Sequence, residues 1–101
     1  MATVVYNMLQ EEKQRNLKMQ EAHMQEINQL PKGSIMARRI SGKKYYYLKY
    51  RSDDKVKTDY IGKDESAVEE IKREIEKRKY LQSVLRRLKE EYKQISTIVK
   101  D

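Results

Sequence analysis

Tyr45, Tyr47 and Lys49 alternate along one short run of the chain, and Lys55 and Lys57 follow at the same spacing. A period of two places such residues on one side of a β-strand. Rings interleaved with cations suit nucleic acid for two separate reasons. Lys and Arg neutralise phosphates and release counterions, while Tyr can stack on bases or donate to a phosphate. Arg38, Arg39 and Lys43 lie just upstream and extend the set. Residues 32–63 hold ten Lys or Arg against Asp53, Asp54 and Asp59, an excess of +7 that equals the net charge of the whole 101-residue chain. A charge excess confined to one segment is the footprint of a polyanion-binding surface. The bland alternative is that the tyrosines shield the sheet and the lysines protect its edges from aggregation.

No other residues assemble a reaction centre. His23 is the single histidine, and its helical neighbours Gln20, Met24 and Ile27 offer no base, nucleophile or second metal ligand. Glu69-Glu70 and Glu90-Glu91 alternate with Lys and Arg at helical spacing, which reads as solvated faces. Met8, Met19, Met24 and Met36 read as core filler. With no Gly-rich phosphate loop either, we expect no enzyme, no metal and no cofactor. The absence of Cys points to a reducing cytoplasm, that of a bacterial host cell, and no apolar run approaches the ~20 residues of a membrane span.

These residues need elements to hold them. From about residue 3 to residue 30 the chain lacks Gly and Pro and is rich in Gln, Glu, Lys and Met, predicting a helix whose thin stripe is Leu9, Leu17, Met24 and Ile27, with Lys13 and Gln20 in the gaps. Pro31 ends it. Three strands are expected over 35–40, 44–50 and 55–61, joined by Ser41-Gly42 and by Ser52-Asp53-Asp54. Matching apolar residues puts Tyr46, Leu48 and Tyr50 with Val56, Thr58 and Tyr60 toward a helix. That leaves Tyr45, Tyr47, Lys49, Lys55 and Lys57, with Arg38 or Arg39, on an open face.

A long helix should start within residues 64–67, where Ser66 and Glu69 have capping-box spacing and Asp64 competes for the cap. Val68, Ile71 and Ile75 face the sheet. Leu81, Leu85, Leu88, Tyr92, Ile95 and Val99 then step by four and three, a heptad seam for pairing with the N-terminal helix or with another copy in a homodimer.

Gly33-Ser34-Ile35, Gly42-Lys43, the run from Tyr45 to Tyr50, and Lys55-Val56-Lys57 before a helix resemble the arm-type DNA-binding module of phage and transposon tyrosine integrases. That resemblance covers about residues 32–75. It implies a three-stranded sheet laid in the major groove with a helix behind it, Arg39, Tyr45, Tyr47, Lys49, Lys55 and Lys57 facing the DNA. The chain departs from that family in having no catalytic integrase domain, a helix before the sheet, and Tyr60-Ile61-Gly62-Lys63 leading into the next helix. Leu30-Pro31-Lys32-Gly33-Ser34, Tyr45-Tyr46-Tyr47-Leu48 and Tyr60-Ile61-Gly62-Lys63 also resemble a family of short, mostly uncharacterised proteins of bacteria, archaea and mobile elements, over nearly the full chain.

The expected fold is α+β, one domain over 1–101: an N-terminal helix (1–31), a basic three-stranded antiparallel meander (32–63), and a long C-terminal helix (64–101) whose second half is coiled-coil-like. The expected function is that of a small non-catalytic nucleic-acid-binding accessory protein of phage or mobile-element type, binding DNA or RNA. Two other readings remain: an anti-CRISPR-type inhibitor engaging a host nucleoprotein effector or its guide RNA, and a coiled-coil adaptor.

Overall fold

The computed structural model describes residues 2–100, so Met1 and Asp101 of the expected domain lie outside the described residues. Helix α1 spans Ala2–Gln29, strands β1, β2 and β3 span Ser34–Ile40, Lys43–Ser52 and Lys55–Gly62, and helix α2 spans Glu65–Ile98. The fold is α+β, with an N-terminal helix, an antiparallel sheet in the order β1-β2-β3, and a long C-terminal helix. The chain divides into two compact units. One is α1 with the part of α2 from Tyr80 onward; the other is residues 30–79.

In the helical unit the seam of α2 is covered along its length. Leu81, Leu88 and Val99 are buried, and Leu85, Tyr92 and Ile95 are half-buried between them. The α1 side differs from the expectation. Leu17 and Met24 are exposed, and the covered stripe is Leu9, Lys13, Asn16, Gln20, His23 and Ile27, again in steps of four and three. Two polar members of that stripe, Lys13 and Asn16, are only 3% and 2% exposed.

Buried polar groups persist where they find partners, and here they do. Asn16 donates its amide to the Leu88 carbonyl oxygen at 2.9 Å, and Gln20 donates to the Asn16 Oδ1 at 2.6 Å. The Lys13 ammonium lies 5.3 Å from the Tyr92 ring centroid and donates to the Val99 carbonyl oxygen at 3.0 Å. That carbonyl follows the last turn of α2, where unpaired C=O groups and the negative end of the helix dipole favour a cation. Partners run down α2 as residue numbers rise along α1, so the pair is antiparallel.

In the unit 30–79, both hairpins close through two residues. Ile40 pairs with Lys43 and Ser52 with Lys55, leaving Ser41-Gly42 and Asp53-Asp54 as the turns. All four have positive φ, between 50° and 80°, as a type I′ turn requires to match the twist of the strands. Ile35, Tyr46, Leu48 and Tyr50 form the half-buried inner face, and Val68 and Ile75 of α2 are buried. Ile35 and Ile75 line one groove, which fixes the side on which α2 lies.

Two joints hold this unit together. Gly33 crosses so close to β2 that a Cβ built on it would overlap the Lys49 carbonyl oxygen and stand 2.9 Å from Tyr50 Cβ. Arg78 donates to the Leu30 carbonyl oxygen at 2.8 Å, tying the segment before β1 to α2. At the start of α2 the cap is Asp64, not Ser66: its Oδ1 accepts from the Ser66 backbone N–H at 2.9 Å and from the Ser66 hydroxyl at 2.8 Å.

Candidate nucleic-acid interface

Cross-strand partners share a face, so the register settles which side chains stand together. Arg38 pairs with Tyr45, Met36 with Tyr47, and Ile40 with Lys43. On the other edge Tyr47 pairs with Tyr60, Lys49 with Thr58, and Arg51 with Val56. The outer face of the sheet therefore carries Arg38, Lys43, Tyr45, Tyr47, Lys49, Arg51 and Tyr60. Five of the expected site residues, Arg38, Lys43, Tyr45, Tyr47 and Lys49, are among them.

Three are not. Arg39 pairs with Lys44, Lys57 with Tyr50 and Lys55 with Ser52, which puts Arg39, Lys55 and Lys57 on the inner face. They are exposed there, but on the opposite side from Tyr45 and Tyr47. The expectation matched β3 to β2 by apolar content, whereas the two-residue turn at Asp53-Asp54 fixes the register one step away. A one-residue change of phase moves every side chain of a strand to the other face. The same correction brings Val56, Thr58 and Tyr60 to the outer side and adds Tyr60 and Arg51 to the site.

Near its end β3 takes in an extra residue. The pairing passes from Tyr47–Tyr60 to Tyr46–Gly62, so Ile61 is a bulge, and Gly62 turns the chain at a φ of 134°. Lys63 then reaches back, its Nζ 5.2 Å from the Tyr45 ring centroid. Arg38 lies over Tyr47 at 5.4 Å. The Tyr60 ring centroid is 5.4 Å from Tyr47 and 6.3 Å from Tyr45. Tilted ring pairs at these distances, and cations over ring faces, are both attractive, so the rings position the cations as well as one another.

The carboxylates are kept apart. Asp53 and Asp54 sit in the turn, and Asp59 pairs with Leu48 on the inner face. There it accepts a hydrogen bond from the Tyr50 hydroxyl, which with partial burial and the Asp59 charge raises the Tyr50 pKa above its ordinary value. The strand residues of the outer face include no acid.

Fold and face together define a class: a three-stranded meander backed by one helix, with an uncovered surface of tyrosines and cations. The chain belongs to the family described as "Domain of unknown function (DUF6788)", which matches residues 8–73. That span runs from α1 through the whole sheet into the first half of α2. No curated protein and no solved structure matches the chain. Among the described residues no helix is long and apolar enough to cross a membrane, and no group of three or more His, Cys, Asp or Glu is placed to hold a metal ion.

Proposed function

We propose that this protein binds nucleic acid through the outer face of its sheet, as a non-catalytic accessory protein of the phage or mobile-element type that its short motifs resemble. The observation that carries the reading is the segregation on that face: Arg38, Lys43, Lys49 and Arg51 stand with Tyr45, Tyr47 and the Tyr60 ring that contacts both, while the segment's carboxylates lie in the second turn and on the inner face. An ordinary solvated sheet face mixes both signs, because mixed charge keeps a surface soluble without a strong field. A face of one sign attracts a polyanion by counterion release.

Two double variants with the same change of charge test this reading. Lys49→Glu with Arg51→Glu alters the outer face; Lys55→Glu with Lys57→Glu alters the inner one. Fluorescence anisotropy across a salt series should show the first pair abolishing binding and flattening the salt dependence. The second pair should weaken binding only modestly, through net charge. Equal losses from both pairs would refute the assignment to the outer face.

The coiled-coil adaptor reading draws less support, since α1 already covers the α2 seam within one chain and a homodimer through it would have to displace α1. Stable co-purification with a host ribonucleoprotein, without affinity for free nucleic acid, would favour the inhibitor reading instead.

A further inference from the structure

We infer that the ligand of this face is a single strand with unpaired bases, and that Tyr60 is the ring on which a base stacks. This rests on the nucleic-acid reading above and narrows it.

The three rings are not equivalent. Tyr45 and Tyr47 are half-buried, and each carries a cation over its face, Lys63 and Arg38 respectively. Tyr60 leans against both from β3 and remains 57% exposed. It is the ring with surface left to offer.

The surroundings of Tyr60 are suited to a flat base rather than to the edge of a base pair. Proteins that read a duplex groove reach into it with long hydrogen-bonding side chains, chiefly Arg or Lys to guanine and Asn or Gln to adenine. The strand residues of the outer face include no Asn or Gln, Arg38 is drawn over Tyr47, and Lys43, Lys49 and Arg51 stand before and after the ring cluster along β2, where they meet a backbone rather than a base beside Tyr60. The apolar side chains there are Met36, half-buried, with Ile40 and Val56 about half exposed. Stacking needs the face of a base, and only an unpaired base presents it to a side chain.

Along the central strand the cations bracket the rings, Lys43 before Tyr45 and Lys49 after Tyr47. Arg38 lies on β1, Lys63 follows β3, and Lys49 and Arg51 continue along β2 toward the second turn. At about 3.4 Å per residue Lys43 and Lys49 stand about 20 Å apart along β2, on either side of the point where Tyr60 faces Tyr47, so phosphates before and after a stacked base meet a charge. A backbone track beside a stacking ring is the arrangement by which proteins hold single strands with little sequence preference.

The test compares fluorescein-labelled oligo-dT and oligo-U of about 15 nucleotides, within the range of single-strand site sizes, with a duplex of the same length. Anisotropy titrations should show one or both single strands bound about tenfold or more tighter than the duplex at equal salt. Tyr60→Leu and Tyr60→Ala should each weaken single-strand binding about tenfold, with the salt slope unchanged because no charge is lost. Tyr60→Phe should bind as the parent does, and a thermal melt of each variant reports whether it folds. A duplex bound as tightly as the single strands, or a folded Tyr60→Leu variant of full affinity, overturns the inference and leaves the nucleic-acid reading standing. Failure to bind any of the three probes at low salt overturns both.

Discussion

Tyr60 stands directly opposite Tyr47 in the β2–β3 ladder, with ring centroids 5.4 Å apart and ring planes 56° from parallel. The pair ties an edge strand to the central one at the point where the ladder is about to be interrupted by the Ile61 bulge. Its coupling is measurable in a double-mutant cycle of Tyr47→Leu and Tyr60→Leu followed by denaturant unfolding. We expect about 0.5–1.5 kcal/mol of interaction beyond the single costs. A cycle that closes to zero would mean that the rings merely share a face.

Gly33 and Gly42 both have positive φ, 115° and 80°, but differ in what surrounds them. Beyond its own chain neighbours, no residue comes within 4 Å of where a Gly42 Cβ would stand, whereas at Gly33 the backbone of β2 occupies the position. Gly42→Ala should therefore cost about 1 kcal/mol, the strain of the left-handed region alone. Gly33→Ala should cost about 3 kcal/mol or more, because β2 or the segment before β1 must move. Thermal unfolding followed by circular dichroism ranks the two, and equal midpoints would contradict the close approach.

Asn16 is a polar residue at a seam position, and its hydrogen bond to Leu88 fixes how far along α2 the first helix sits. Asn16→Leu should raise the free energy of unfolding by roughly 1–2 kcal/mol through added apolar burial. It should also loosen the choice of register and partner, because a buried Asn specifies pairing at a cost in stability. Light scattering should then show species larger than the parent's. A variant that gains stability and keeps the parent's state of association would show that Asn16 does not set the pairing.

Much of the fold is legible in the residues themselves. The Gly-free stretch before Pro31, the Ser41-Gly42 turn and the β-branched and aromatic runs mark the helix and strands, because local backbone preference is strong at each. The α1 seam is harder to see. Leu17 and Met24 look like core, yet Lys13 and Asn16 take the buried positions because their partners, the Val99 and Leu88 carbonyls, lie far along the chain. The phase of β3 was available in principle: a two-residue turn at Asp53-Asp54 pairs Ser52 with Lys55 and so Tyr47 with Tyr60. Apolar matching misled there because Val56 and Tyr60 resemble core residues although both are more than half exposed.

Two groups give stability a pH dependence at opposite ends. Hydrogen bonds from the Ser66 hydroxyl and backbone hold the Asp64 carboxyl below its ordinary pKa of 3.8. That contribution is present above the unfolded value and is lost as pH falls through the folded one. The Tyr50 pKa is raised above 10.0 by its bond to Asp59, so its contribution is complete below pH 10 and is lost as pH rises through the folded value. Asp64→Asn keeps a capping oxygen and should flatten the acid limb of a melting-temperature profile, while Tyr50→Phe should flatten the alkaline limb. An acid limb unchanged by Asp64→Asn would remove Asp64 from the account.

The division of the chain has a consequence for how it is made. The sheet unit is contiguous, whereas the helical unit joins α1 to the part of α2 from Tyr80 onward, with everything from 30 to 79 between them. On the ribosome α1 emerges first and must wait, its Lys13 and Asn16 still hydrated, until the far half of α2 has been synthesised. Closing so long a loop is entropically uphill unless the intervening chain has already compacted, so hairpin formation should come first and helix pairing last. Pulse-labelled amide exchange that found α1 protected ahead of the strands would reverse that order.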